Sequence, residues 1–135
     1  MPSGYSGKPL WQKLGIKPGS TVNTIGAPTE YEVLLGGVPP KVKLAGPPRK
    51  GAEFVHFFAT QRAVLSRNLV SLRREMAVDG VLWVSWPKRT AGVPTNVTED
   101  VIREVALPLG WVDVKVCAVD ETWSGLKLVL RRALR

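Results

Sequence analysis

The sequence predicts an α/β protein with a three-layer, Rossmann-like fold, whose sheet is mostly parallel and ends in a C-terminal antiparallel hairpin. Two short runs, Glu53 to Ala59 and Gly80 to Pro87, are apolar at nearly every position, which is typical of strands buried on both faces of a parallel sheet. Between them, Thr60 to Met76 repeats apolar residues at helical spacing, namely Leu65, Leu69, Leu72 and Met76. This is a strand, helix, strand unit, which joins parallel strands.

The N-terminal part predicts an arm, a first strand and a short helix. Residues 1–19 begin with Gly, Ser and Pro, and we expect them to pack on the domain as an arm, with a helical turn from Pro9 to Leu14. The β-branched segment Ser20 to Gly26 predicts the first strand. Pro28 is well placed to open a short helix that ends at Leu35.

A brief second strand and a late helix complete the parallel part. Lys41 to Ala45 predicts the strand, and Gly46 to Gly51 is a turn-rich loop that leads into the strongest strand, helix, strand unit. After Pro87 the periodicity is lost until Asn96 or Thr98 can cap a helix that runs to about Leu107.

The C-terminal hairpin is predicted by two alternating segments. Trp111 to Val119 is the first, and four of its apolar residues should share one face of the sheet: Val112, Val114, Val116 and Ala118. The short turn Asp120 to Gly125 joins antiparallel neighbours. Leucines then alternate in the last strand at positions Leu126, Leu128 and Leu130.

Length and composition indicate one basic domain. The 135 residues fit a single core, and 19 Lys and Arg against 11 Asp and Glu give a net charge of +8, which favours anionic partners. Cys117 is the only cysteine, so an internal disulfide is excluded. The sequence has neither a signal-peptide core nor a long apolar run, so we expect a cytoplasmic protein that does not associate with a membrane.

The order of elements resembles a shortened methyltransferase-like Rossmann domain. At a finer level, the segments GYSGKPLWQKLGIKPG, LWVSWPKRTAGVPTNVTEDVIREV and GWVDVKVCAVDETWSGLKLV are similar to a family of short bacterial proteins of uncharacterised function. This resemblance covers nearly the whole chain. It supports the fold, and it implies no activity and no catalytic residues.

The first strand-to-helix turn departs from a nucleotide-binding fingerprint. A fingerprint that starts at Gly26 would need glycines where Pro28 and Tyr31 stand, and Pro28 removes a backbone N–H from the turn. The acidic residue that binds a ribose after the second strand is missing between Lys43 and Lys50. The sequence therefore predicts no cofactor, with S-adenosylmethionine kept as an alternative.

A candidate ligand site lies at the carboxyl edge of the predicted sheet, where open α/β sheets bind ligands. The loops after the first, third, fourth and fifth strands should meet there, and a cation pair in the long loop could bind a phosphate or a carboxylate. The opposing interpretation is that nearby carboxylates neutralise these cations. The candidate residues are Gly26, Thr60, Trp86, Lys88, Arg89, Asp120, Glu121 and Trp123.

No catalytic or metal site is predicted. His56 is the only imidazole, and its place inside the apolar run FVHFF predicts a buried core histidine. Cys117 lies among apolar strand residues without a second thiol, which predicts an inert cysteine and no zinc site. Asp120 and Glu121 are adjacent, so they point opposite ways in an extended chain and form a poor acid and base pair.

The sequence leaves three functional interpretations. The favoured one is a non-catalytic Rossmann-like module that binds a small anionic ligand or a protein partner. The alternative is a minimal S-adenosylmethionine-dependent methyltransferase, motivated by the order of elements. The second alternative is a weak, sequence-independent nucleic-acid binder, which is disfavoured because the cations are spread along the chain apart from Arg131, Arg132 and Arg135. The sequence also leaves open whether two chains pair through an exposed edge strand to form an oligomer.

Overall fold

A computed structural model describes residues 7–135, and in it helices flank one six-stranded sheet. Six strands form the sheet: β1 (Thr21–Ile25), β2 (Lys43–Ala45), β3 (Ala52–Phe58), β4 (Met76–Pro87), β5 (Trp111–Ala118) and β6 (Trp123–Leu130). Four α-helices accompany them: α1 (Leu10–Leu14), α2 (Tyr31–Leu35), α3 (Arg62–Glu75) and α4 (Glu99–Leu109). Two short 3-10 turns follow β4 and β6, at Arg89–Ala91 and Arg132–Leu134.

The sheet is mostly parallel and ends in an antiparallel hairpin, as predicted. Its strand order is β2-β1-β3-β4-β6-β5. β1 pairs in parallel with β2 and β3, and β3 pairs in parallel with β4. β6 runs antiparallel to both β4 and β5, so it is the one reversed strand, and β5 returns to the common direction.

Two apolar cores lie on the two faces of the sheet and make the fold three-layered. On one face, α3 and α4 cover a cluster that includes Val55, Phe57 and Leu82. On the other face, α1 and α2 cover a cluster that includes Val22 and Trp83. Strands β3 and β4 contribute to both clusters, which explains why their sequences are apolar at nearly every position.

The N-terminal segment is attached to the second core. Leu10, Leu14 and Ile16 are buried there, and the indole N–H of Trp83 donates a hydrogen bond to the Leu14 carbonyl at 2.9 Å. This describes residues 7–19 of the predicted arm, whereas residues 1–6 lie outside the described residues. The division into one domain with an arm stays a prediction.

Strand β5 departs from the predicted alternation. A bulge between Asp113 and Lys115 shifts the register, so residues on either side of it change faces. Trp111 is therefore buried in the first core and Cys117 in the second, on the opposite face, while Val114 and Val116 are 53% and 49% exposed. The prediction that Val112, Val114, Val116 and Ala118 share one buried face is wrong, because the extra residue breaks the period of two.

Three element boundaries also differ from the sequence prediction. The short helix α2 begins at Tyr31, after its N-cap Glu30, and not at Pro28. β4 begins at Met76, directly after α3, because Met76 already pairs with Ala52. α4 continues through Pro108, which was expected to end it, and stops where Gly110 adopts a φ of 110°. The side chain of Thr98 caps this helix by accepting from the Val101 N–H, which decides between the two predicted caps. Within residues 7–135 no helix has the length and apolar character of a membrane span.

Candidate functional site

The structure places the predicted site residues at the carboxyl edge of the sheet, but it does not gather them in one pocket. Three of them, Trp86, Lys88 and Arg89, line an open cleft of about 690 Å³ between the end of β4 and the start of α4. Asp120 lines a separate cavity of about 170 Å³ beside α1 and α2. Glu121 lies in the β5–β6 turn and lines neither space.

The cleft at the end of β4 carries charges of both signs. Lys88 and Arg89 line one part of it, and Glu99 and Asp100, from the first turn of α4, line another. These two carboxylates also form ion pairs with Arg103. The cations of the long loop therefore share this cleft with two carboxylates of α4.

Backbone hydrogen bonds fix the shape of this edge. The Lys88 N–H donates to the Thr122 carbonyl at 2.7 Å, which ties the end of β4 to the hairpin turn. The Asn96 N–H and the Thr95 hydroxyl both donate to the Thr60 carbonyl, at 3.3 and 2.7 Å. Thr60 thus anchors the long loop through its backbone.

Asp120 serves the hairpin turn. Its Oδ1 atom accepts from the backbone N–H groups of Thr122 and Trp123, at 2.8 and 2.7 Å. This is an Asx turn, in which the carboxylate replaces a backbone acceptor. Trp123 packs edge-on against Phe58 with ring centroids 5.0 Å apart, so it closes the edge of the second core. Both residues therefore have structural roles at this edge of the sheet.

The turn after β1 brings the backbone of Gly26 against the end of β3. Gly26 has a φ of 67°, and a Cβ at this position would lie 2.9 Å from the Phe58 carbonyl oxygen. Only glycine accommodates both the left-handed conformation and this close approach. Gly26 itself is exposed, so its backbone is open to a ligand at this edge.

The turn after β1 shares one feature with turns that bind adenosyl cofactors and differs from them in two. Gly26 lets a ligand approach the backbone, as cofactor turns require. Pro28 supplies no N–H, and β2 ends at Ala45 without a carboxylate for a ribose hydroxyl. The turn is therefore compatible with a cofactor held by backbone contacts, but it lacks the acidic residue that usually contacts the ribose.

His56 is buried, as predicted, at the centre of a polar network that sequence reasoning missed. Its Nδ1 atom lies 2.7 Å from the Tyr31 hydroxyl, and its Nε2 atom lies 2.7 Å from the Ser85 hydroxyl. Phe58 stacks on the ring at a centroid distance of 4.2 Å. Burial lowers the pKa of His56 to about 3 and raises the pKa of Tyr31. A signal for Ser85 did exist, since it is a polar residue within an otherwise apolar strand.

The remaining reactive groups do not form a catalytic set. Cys117 is buried, and burial raises the pKa of its thiol, which keeps it protonated and unreactive. Within residues 7–135, no three His, Cys, Asp or Glu side chains are grouped so that they could bind a metal ion.

This strand order and the reversed β6 define a Rossmann-like fold of the methyltransferase type. No protein-family model matches the sequence, and no curated protein matches it. Among solved structures, a SAM-dependent methyltransferase from Aquifex aeolicus is similar with a TM-score of 0.62 and 15% identity, over 89% of this chain and 87% of that one.

Two cofactor complexes show the same likeness. Aeropyrum pernix fibrillarin in complex with S-adenosyl-L-methionine has a TM-score of 0.58 and 11% identity, over 84% of this chain and 67% of that one. The DhpI complex with SAH has a TM-score of 0.58 and 14% identity, over 84% of this chain and 78% of that one. At these identities the likeness shows the fold.

These comparisons correct the favoured functional interpretation from the sequence. A non-catalytic module that binds a small anionic ligand or a protein partner was preferred, because the turn after β1 departs from the fingerprint. The similar structures are instead described as methyltransferases or as SAM and SAH complexes. The alternative of a minimal methyltransferase is therefore better supported than the first interpretation, and S-adenosylmethionine is more plausible than the predicted lack of a cofactor.

Proposed function

We propose that this protein is a minimal S-adenosylmethionine-dependent methyltransferase that binds its cofactor at the carboxyl edge of β1 and β3. The observation that carries the proposal is the likeness of the fold, over 89% and 84% of this chain, to structures described as a SAM-dependent methyltransferase and a complex with S-adenosyl-L-methionine. When bound, this cofactor supplies an activated methyl group on a sulfonium. The exposed backbone at Gly26 supports the placement.

The missing ribose carboxylate leads us to expect weak binding. A hydrogen bond to a charged group contributes about 1.5 to 3 kcal/mol, so its absence lowers affinity about 10- to 100-fold relative to a turn that has it. Backbone groups near Gly26 and the end of β3 would provide the remaining contacts. The cleft beside Trp86 and Lys88 lies at the same edge, and we assign it to the methyl acceptor.

Thermal unfolding in the presence of millimolar S-adenosylmethionine or S-adenosylhomocysteine tests the proposal, with ATP as the nucleotide control. Binding at about 100 times the dissociation constant adds about 2.7 kcal/mol to the free energy of unfolding, so the midpoint of thermal unfolding should rise by several degrees. Binding of ATP alone, or of none of the three, would refute it.

A blocking variant locates the cofactor. Thr29 is exposed in the turn after β1, and Thr29→Trp would fill the space above Gly26. Val70 is 42% exposed on α3, and Val70→Trp is the matched control. The first variant should lose the response to S-adenosylhomocysteine, whereas the second should keep it. An unchanged response in Thr29→Trp would exclude this turn.

Family membership and cellular location stay predictions alongside this proposal. Membership in the family of short bacterial proteins rests on the sequence segments quoted above. A cytoplasmic location is consistent with the helices of the described residues, and fractionation of the native host would test it.

A further inference from the structure

A second cleft lies at the amino edge of the sheet, opposite the proposed cofactor turn. It has a volume of about 830 Å³ and is bordered by the starts of β1 and β3 and by the β2–β3 loop. Four cationic side chains line this space, which we call the basic cleft: Lys17, Lys43, Arg49 and Lys50. Glu53 is the one carboxylate among its described lining residues.

The topology creates the basic cleft because the chain crosses from β2 to β3 without a helix. Residues 46–51 make this connection, whereas parallel strands are usually joined by a longer helical crossover. No helix therefore covers the face of β1 at this end, where Thr21 is exposed. The fold brings Lys17 of the arm next to the cations of β2 and of the loop, which are close to one another in the sequence.

Hydrogen bonds hold the loop over the basic cleft. The Asn23 amide donates to the Gly46 carbonyl at 3.1 Å, and the Gly51 N–H donates to the Glu75 carbonyl at 2.6 Å. Lys50 donates to the backbone carbonyl of Arg74 at 2.8 Å, which ties the loop to the end of α3. The loop is anchored at both ends, so it presents Arg49 from an ordered position.

The positive charge of the basic cleft is not neutralised by contact. Within residues 7–135, no ion pair includes Lys17, Lys43, Arg49 or Lys50. Lys17, Lys43, Arg49 and Lys50 are all exposed. A cleft with one sign of charge attracts anions and raises their local concentration.

We propose that the basic cleft binds the phosphate backbone of a nucleic acid. Pockets for small molecules are mostly apolar with a few polar groups, but here only Phe54 and Val81 supply large apolar side chains. Separate cations along an open, polar cleft fit a chain of phosphates, which is bound mainly by Lys and Arg. In the sequence, the spread of Lys and Arg along the chain disfavoured a nucleic-acid partner. In the fold, four of these cations line one cleft.

Fluorescence anisotropy with a short, labelled, single-stranded RNA of mixed sequence tests the proposal through its salt dependence. The slope of log affinity against log salt is about −0.7 per neutralised phosphate, so four contacts predict about −2.8 and a roughly 50-fold loss between about 50 and 200 mM KCl. Removing two cations in Lys43→Ala with Arg49→Ala should reduce that loss to about 7-fold.

A matched double variant separates the basic cleft from net charge. Arg67 is exposed on α3 and Lys115 is exposed on β5, the other edge of the sheet, so Arg67→Ala with Lys115→Ala removes the same charges elsewhere. This control should keep the full salt slope. A second cleft pair, Lys17→Ala with Arg49→Ala, should behave like the first. All five substituted positions are exposed, so folding should persist.

Three outcomes would overturn the proposal. Equal loss in the cleft and control variants would mean that net charge alone drives binding. The absence of RNA binding at low salt would refute the proposal directly. Binding of inorganic tripolyphosphate, sensitive to the cleft variants and without binding of RNA, would reassign the basic cleft to small phosphates. None of these outcomes bears on cofactor binding, because that is measured at the opposite edge.

Discussion

The Nε2 atom of His56 lies 2.7 Å from the hydroxyl oxygen of Ser85, across the neighbouring strands β3 and β4. The other ring nitrogen lies 2.7 Å from the hydroxyl oxygen of Tyr31, so both nitrogens have partners inside the core. A neutral imidazole donates through one nitrogen and accepts through the other, and hydroxyl groups can meet either need. The network therefore stabilises the neutral ring, and it provides no negatively charged group that would stabilise the protonated ring.

Acid should destabilise the protein through His56. Its pKa is about 3 in the folded state and about 6.5 in an unfolded chain, so the unfolded state binds more protons between these values. Full stability is present above pH 6.5. Below it, the free energy of unfolding should fall by about 1.4 kcal/mol per pH unit. Urea denaturation between pH 7.5 and 5 measures this slope.

The variant His56→Gln provides the control for that prediction. Glutamine does not titrate, so the free energy of unfolding of this variant should be nearly constant from pH 7.5 to 5. At pH 7.5 we expect it to be lower than that of the natural chain. If the variant shows the same slope as the natural chain, a group other than His56 is responsible.

Substitution of Gly26 should be costly for two separable reasons. An L-residue in the left-handed conformation costs about 1 to 2 kcal/mol, and in Gly26→Ala the new Cβ would also lie 2.9 Å from the Phe58 carbonyl oxygen. Gly92 has a similar φ of 70°, but nothing lies within 4 Å of its Cβ position. Gly92→Ala should therefore show the conformational cost alone. Chemical denaturation of both variants compares them, and equal losses would contradict the close approach at Gly26.

The sequence predicted the strands that are buried on both faces better than the strand at the edge. β3 and β4 are recognisable because each face meets a core, so nearly every residue is apolar. In β5, the sequence prediction applied a period of two across Val114, where the bulge lies. It therefore placed Val116 in the core, whereas Val116 is on the surface. Trp111 and Cys117 have the same parity but are buried in the cores on opposite faces of the sheet, and the bulge between them accounts for this.

The sequence predicted the sheet edge at which the candidate residues lie, but it did not predict their contacts. Strand ends give the edge at which Gly26 and Lys88 lie, because parallel strands share a direction. Which residues meet there depends on pairings between distant segments, such as the Lys88 N–H with the Thr122 carbonyl. The Tyr31 and Ser85 partners of His56 come from α2 and β4, and no local pattern connects them.

The attachment of the N-terminal segment should depend on Trp83. Its indole N–H donates to the Leu14 carbonyl in the core, so Trp83→Phe removes the donor and leaves a buried acceptor unpaired, at a cost of about 1 to 3 kcal/mol beyond the lost packing. Trp111→Phe is the matched control, since the indole of Trp111 is buried but makes no hydrogen bond within the described residues. Hydrogen exchange at residues 10–16 should increase in the first variant. An increase of the same size in the control would mean that loss of volume is the cause.

The ion pair between Arg103 and Asp113 should connect α4 to the strand before the bulge. The Arg103 Nε atom lies 2.9 Å from the Asp113 Oδ2 atom, and this hydrogen bond lowers the pKa of Asp113. Its contribution is present above the unfolded pKa of about 3.9 and is lost as the pH falls through the lowered value. Both side chains are 31% exposed, so a double-mutant cycle should give a coupling of about 0.5 to 1 kcal/mol.

A second cycle sets the scale for that coupling. Arg62 and Glu104 are 3.0 Å apart, but their side chains are 49% and 57% exposed, so solvent screens the pair more strongly. The Arg62→Ala and Glu104→Ala cycle should give a coupling of about 0 to 0.3 kcal/mol, and 1 M salt should abolish it. The Arg103 and Asp113 coupling should persist in part at that salt, because the pair also fixes the approach of α4 to β5. If the two cycles give equal couplings, Asp113 contributes no more than a surface charge, and another contact must connect α4 to the strand before the bulge.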